Sequence, residues 1–340
     1  MATNKLFQYI FTLTDDTGIM QHSIGSIPDP NHGYTTDDNS RAIIAATMLY
    51  EKYKDEKYLK LIIKYVSFLL YAQSNNGYFR NFMNYNRTFK DESISEDCFG
   101  RCLWAASYLL KAAIPDNIKT AAILMIDRAL KNINDLCYIR GKAYTLIGLY
   151  YIYKYGTIWN KEQVLKYINK LVNDILNEYE IHSSSDWKWY EDIISYDNGI
   201  IPLSLLKSYS IIENRKILDV AIESLDFLDS ICFRHGYFKA IGCNGWYKKG
   251  HEVAEYDEQP VEAYGMALMY LEAYKIINNE KYKKRAIDCN EWYYGKNSKG
   301  ISLYDDISGG CYDAITKNGV NLNQGAESIT SIIISHCVTI

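Results

Sequence analysis

The sequence has little proline, five residues in 340, and no low-complexity run. It offers no obvious linker and reads as a single domain over 1–340. It has no run of ~20 uncharged apolar residues, so no membrane span is expected. Its start, MATNKLFQYIFTLTDD, lacks a basic segment leading into an apolar core. Positive charge is not in excess. The formal net charge of −4, with basic residues scattered among acidic ones, argues against a nucleic-acid partner. The eight cysteines form no CxxC pair and read as reduced thiols, so the expected location is cytoplasmic. The six histidines show no HExxH, and the single cysteine of GGCYD at 309–313 has no paired ligands, so no metal is expected. Neither GxxxxGK[ST] nor GxGxxG occurs, which leaves a nucleotide cofactor unsupported; none is expected.

What is present is helical periodicity with almost no strict alternation. Helices are expected at 4–12, 38–53, 55–73, 96–113, 117–134, 139–155, 160–179, 197–211, 214–230, 257–278, 279–294 and 323–339. Some connections are tight turns (KDE, IPDN, EN). Those at 13–37, 74–95, 180–196, 231–256 and 295–322 are long. Up-and-down helices put every second connection at the same end, so short turns gather on one face and long loops on the other. Six αα-hairpins with this asymmetry predict an all-α (α/α)6 toroid. A solenoid would not need one elaborated face.

The helices that follow long loops start with TTDDNSRA, SEDCFGRCLW, YDNGIIP, DEQPVEA and NQGAES. An acid at a helix start is an ordinary cap and gains from the helix dipole. Five such starts on one rim predict carboxylates beyond those needed for capping. The loops add aromatics: SDWKWYEDIISYDN carries Trp187, Trp189, Tyr190, Glu191 and Tyr196, and GYFKAIGCNGWY carries Tyr237 and Trp246. Flat aromatic faces beside carboxylates and amides suit sugars, whose C–H faces stack while their hydroxyls are hydrogen-bonded.

The ordered series TDDTGIMQHS, GYTTDDNSRA, SEDCFGRCLWA, WKWYEDIISYDN, EYDEQPVEA and GGCYDAITKNGVNLNQGAES resembles a bacterial six-hairpin glycosidase-like family, often fused to or beside glycosyltransferases. The resemblance implies the (α/α)6 fold, a carbohydrate substrate and a possible glycosyltransferase partner. Its matching positions are Asp37, Asp38, Asn39, Arg41, Glu96, Asp97, Arg101, Trp187, Glu191, Tyr196, Asp197, Asn198, Asp257, Gln259, Glu262, Asn323, Gln324 and Glu327. Two positions depart from the pattern. Glu258 stands where a second glutamine is expected, and DNGII lacks the arginine expected after Asn198.

Glycoside hydrolysis needs a protonated acid at the leaving oxygen and a second carboxylate opposite it. Carboxylates on facing helix starts suit the wider separation of an inverting enzyme. Asp38, Asp197 and Asp257 are the expected catalytic acids, with Asp37 mainly a cap. A phosphorylase would place phosphate on Arg41 and Arg101. An epimerase would use paired histidines, which the spacing does not suggest. A binding-only accessory protein is the remaining alternative.

Overall fold

Six helices are buried on every side, and they alternate along the chain with helices buried on one face. The computed structural model describes residues 8–90 and 94–340. After α1 (Tyr9–Thr12) come α2 (Thr36–Tyr53), α3 (Glu56–Ala72), α4 (Glu96–Lys111), α5 (Asp116–Ala129), α6 (Ile139–Tyr155) and α7 (Lys161–His182). They are followed by α8 (Ile200–Ile212), α9 (Arg215–Cys232), α10 (Pro260–Ile277), α11 (Glu280–Trp292) and α12 (Ala326–Thr339). In α4, every residue from Cys98 to Leu109 is buried. In α9, burial falls on Ile217, Leu218, Ala221, Ser224, Leu225 and Leu228, the i, i+3, i+4 stripe of an amphipathic helix. The even-numbered helices follow the first pattern and the odd-numbered ones from α3 to α11 the second.

The expected helices are present, with informative shifts at their ends. The first residues of the opening helix, expected from position 4, lie outside the described residues. The helix expected at 117–134 stops at Ala129 and tightens into a 3-10 segment, Leu130–Asp135. Three helices begin three residues later than expected, at Ile200, Pro260 and Ala326. Pro260 explains one of these, because proline is well placed in a first helical turn and lacks the donor a preceding turn would need. Asp197, Asp257, Asn323 and Gln324 therefore precede their helices and lie in loops.

The chain divides into two compact units. In residues 10–171, α2 packs against α3 and α4, and α4 against α5 and α6. β3 (Tyr34–Thr35) pairs antiparallel with β4 (Phe82–Met83), which ties together two of the long connections. A β1–β2 hairpin (Ser23–Ile24 with Ile27–Pro28) lies in the first of these. In the other unit, which among the described residues comprises 8–9 and 172–340, α8 packs against α9 and α10, and α10 against α11 and α12. Here β5 (Ile193–Ile194) pairs with β6 (Tyr247–Lys248), again joining two long connections. β7 (Ala314–Thr316) and β8 (Gly319–Asn321) form a hairpin in the last long connection. Within each unit, the long loops are thus fastened to one another.

The buried helices approach closely at glycines. A Cβ on Gly199 would lie 2.5 Å from the carbonyl of Gly265 on α10, backbone that cannot swing aside. Gly199→Ala is expected to destabilise the protein by about 1–3 kcal/mol or more through overpacking, read as a lower urea midpoint.

Candidate functional site

The first acidic start divides its labour in an unexpected way. The Thr35 hydroxyl, one residue before α2, caps the helix by accepting the Asp38 amide at 3.1 Å. Asp38, at the third helical position, answers by accepting the Thr35 hydroxyl proton. This is a variant of the capping box. The second Asp38 oxygen accepts from Arg41 at 2.9 Å, and both side chains are buried. The expectation that Asp37 caps while Asp38 faces a cavity is therefore corrected: Thr35 is the cap, and Asp38 is held between Thr35 and Arg41. Asp37 is the more open of the two, with 17% of its side chain exposed against 7%. One Asp37 oxygen accepts from Asn81 Nδ2 at 3.0 Å. The other lies 3.2 Å from the Arg101 guanidinium, which sits 4.3 Å from the Tyr144 ring centroid and donates to that tyrosine's hydroxyl.

Two neighbouring positions serve the scaffold. Asn39 is fully buried, accepts from the Ile19 amide at 3.0 Å and donates to the Thr35 carbonyl at 2.8 Å, pinning the 13–35 loop to α2. Glu96 accepts from the Cys137 and Tyr138 amides at 2.9 and 2.7 Å, so it caps α6, a helix with no side-chain cap of its own. Neither is placed as a substrate ligand. Asp97, the next residue, is part-buried one turn before Arg101 on α4.

The second unit repeats this device. No side chain caps the first turn of α8, and Glu262 on α10 holds the two residues that lead into the N-cap Gly199. It accepts from the Asp197 amide, from Asn198 N at 3.3 Å and from Asn198 Nδ2 at 2.9 Å. Asp197 is fully buried with φ of 45°, and its carboxylate accepts from the Tyr264 hydroxyl at 3.2 Å. Gly265 leaves room for it, since a Cβ there would meet Asp197 Oδ1 at 2.4 Å. Burial, reinforced by the Asp197 charge, pushes the Glu262 carboxyl up to about 8 against the pull of its Asn198 and Asp197 donors. Asp197, Asn198 and Glu262 thus form one buried polar cluster between α8 and α10.

Other expected site residues separate by exposure. Asp257 is part-buried, its carbonyl held by the Cys243 amide at 2.9 Å. The Lys239 and Lys299 ammonium groups lie 5.2 and 4.8 Å from the adjoining Tyr256 ring. Gln259, Glu191, Asn323 and Glu327 are also part-buried. Gln324 is buried and structural, donating to Asp305 at 2.9 Å and accepting from Ser308 at 2.7 Å. Glu258, set aside in the sequence, is fully buried beneath Trp292 Nε1 at 3.0 Å.

The tryptophans divide as well. Trp189 is fully buried, and Trp187 is 3% exposed, packed edge-on against Phe227 and Tyr247 and donating to the Glu191 carbonyl at 2.8 Å. Neither presents a face to a ligand, which corrects the expectation that they stack on sugar. Trp246 is part-buried and lies 6.4 Å from the ring of Tyr196, itself part-buried. Trp246→Ala should weaken saccharide affinity by about 1–3 kcal/mol, while Trp189→Ala should cost about 3–5 kcal/mol of stability; calorimetric titration and urea unfolding separate the two effects.

Asn81, Tyr144, Tyr264 and Asp313 belong to these clusters and were not singled out in the sequence. Asp313 accepts from the Gly325 amide at 2.7 Å and the Ser328 hydroxyl at 2.6 Å, capping α12 from a loop. For Asn81 and Asp313 the only local signal was an amide or acid in a long connection; Tyr144 and Tyr264, inside buried helices, gave none. Among the described residues, no group of three or more His, Cys, Asp or Glu is placed to hold a metal ion. No described helix is long and apolar enough to cross a membrane.

No protein-family profile and no curated protein sequence matches the chain. Solved structures do. A cellobiose 2-epimerase from Bacillus thermoamylovorans superposes with a TM-score of 0.76 at 11% identity, covering 100% of this chain and 98% of that one. A D-mannose isomerase gives 0.74 at 14% identity over 98% and 95% of the two chains. An inactive α-1,6-mannanase variant of Salegentibacter, with two adjacent aspartates changed to asparagine and α-1,6-mannotriose bound, gives 0.69 at 12% identity over 99% and 97%. The fold is that of the six-hairpin glycosidase-like (α/α)6 toroids.

Proposed function

We propose that the protein is a carbohydrate-active enzyme and that it hydrolyses a glycosidic bond. The observation that carries this reading is Asp37. It is a part-buried carboxylate on the first turn of a helix, oriented from two sides by Asn81 and Arg101, while its neighbour Asp38 is consumed by the cap. In the mannanase on the same fold, the variant lacking two adjacent aspartates is inactive. This chain has adjacent acids on the first turns of α2 and α4, and in each pair one member is taken up by the scaffold: Asp38 by the Thr35 hydroxyl and Arg41, Glu96 by the Cys137 and Tyr138 amides. The carboxylates we assign to the chemistry are the other members, Asp37 and Asp97, on two packed helices. Asp257, part-buried in the other unit, is the further carboxylate to test. The aromatic pair Trp246 and Tyr196 belongs to that other unit and is tested for saccharide binding by itself.

Phosphorolysis is less well supported, because the guanidiniums it would use are engaged: Arg41 by Asp38 and Arg101 by Asp37. Epimerisation or isomerisation is favoured by two of the structural neighbours and by a histidine pair, His22 and His32. Those rings meet edge to face with centroids 4.8 Å apart, which leaves no room for a sugar carbon between them.

The test is incubation with a panel of oligosaccharides that includes α-1,6-mannotriose, with and without phosphate, followed by chromatography and NMR. New reducing ends formed without phosphate are expected. Conversion to an epimer or ketose without chain cleavage, or binding without any conversion, would overturn the hydrolytic reading.

A further inference from the structure

A cleft of about 620 Å³ opens beside the β5–β6 ladder, lined by Asp192, Ile193, Lys248, Lys249 and His251. It is cationic in a chain whose acids outnumber its bases, 41 to 37. Its one acid, Asp192, is paired with Lys249, which leaves Lys248 to carry the cleft's net positive charge. Asp192 lies 3.3 Å from His182 Nδ1 and 3.6 Å from Lys249 Nζ. Lys249 is further fixed by donating to the His182 carbonyl at 2.7 Å. Lys248, paired in register with Ile193, is exposed and brings an ammonium group, and the exposed His251 brings an imidazole. Ile193 gives the cleft a part-buried apolar patch.

The cleft adjoins the aromatic pair by chain connection. Trp246 immediately precedes β6 and Lys248 ends it, so their Cα atoms lie no more than about 7 Å apart. Tyr196 follows β5 by two residues and reaches the Trp246 ring. An aromatic face for a sugar ring therefore stands next to an open surface cleft where Lys248 and His251 are presented beside the Lys249–Asp192 pair. Lysine ammonium groups bind carboxylate and phosphate as point charges, through charge-assisted hydrogen bonds.

We propose that this cleft binds the anionic substituent of a saccharide, so that the preferred ligand carries a carboxylate or phosphate group next to the sugar held by Trp246 and Tyr196. The inference rests on the carbohydrate reading above and narrows its substrate class to acidic glycans.

Calorimetric titration of the full chain tests it with matched probes: trigalacturonate and its carboxyl-reduced form, mannose 6-phosphate and mannose, and inorganic phosphate alone. One acidic probe is expected to bind about tenfold more tightly than its neutral counterpart, an advantage that shrinks at high salt. In the double variant Lys248→Ala, His251→Ala, the acidic and neutral probes should bind alike, with the neutral affinity unchanged. Which pair shows the preference tells carboxylate from phosphate. Equal binding of acidic and neutral saccharides, or an unaltered preference in the double variant, overturns the inference and leaves the carbohydrate reading standing. Binding of inorganic phosphate with no saccharide bound overturns both.

Discussion

Asp37→Asn should lower turnover on the substrate identified by the oligosaccharide panel by about 10²–10⁴-fold, the usual loss when a general acid or base is removed. It also removes the charge beside the buried Arg101 guanidinium, so its thermal midpoint should fall, but by less than that of Asp38→Asn, because Asp37 is the more exposed acid and asparagine keeps an oxygen for Asn81 to donate to. Asp38→Asn should behave in the opposite manner. It removes the charge opposite a buried guanidinium, and breaking such a pair costs about 3 kcal/mol or more of stability. Glu96→Gln belongs with Asp38, at about 1 kcal/mol for a weakened cap. Turnover measured beside urea unfolding sorts the variants. An inactive but stable Asp38→Asn with a fully active Asp37→Asn would reverse the assignment.

The stability of the protein should fall as pH rises from about 5 to 8. Glu262 ordinarily titrates near 4.5 and is held up to about 8 in the fold. Between those values the folded chain keeps a proton that the unfolded chain has released, so rising pH favours unfolding. The contribution is fully present below about 4.5, is lost progressively up to about 8, and is flat beyond. Its size is bounded at about 5 kcal/mol by the linkage relation. Glu258, also raised by burial, acts in the same direction, so the variant Glu262→Gln is the proper comparison. Urea unfolding at intervals from pH 5 to 9 should give a steep decline for wild type and a shallower one for Glu262→Gln. Identical slopes would mean that Glu262 is ionised in the fold throughout that range.

Much of the architecture was legible in the sequence because it is written in local periods. Helices buried all round, such as α4 and α8, read as unbroken apolar runs, and the helices between them as stripes. The loops were legible only by length. Ladders of two residues, such as β5 with β6, are too short to leave an alternating pattern. The site was harder. Reading Asp37 as the cap overlooked Thr35, whose hydroxyl is as good a capping group and starts the helix two residues earlier. Trp187, Trp189 and Trp246 look alike in a loop sequence. Only packing against Phe227 and Tyr247 takes Trp187 inside. Glu96, Glu262 and Asp313 spend their oxygens on amides 41, 65 and 12 residues away, partners no local pattern can name.

Those borrowed caps bear on how such a protein can change over evolutionary time. In solenoids a repeat can be deleted or duplicated with modest consequence, since each carries its own terminal chemistry and meets its neighbours through generic faces. Here the segments leading into α6, α8 and α12 have amides satisfied by a carboxylate from another segment. Deleting the α4 hairpin would strip the start of α6, and deleting that of α10 would strip the start of α8. The hairpins are similar in form yet not interchangeable. Divergence is channelled into single substitutions and loop growth, and the number of hairpins stays fixed.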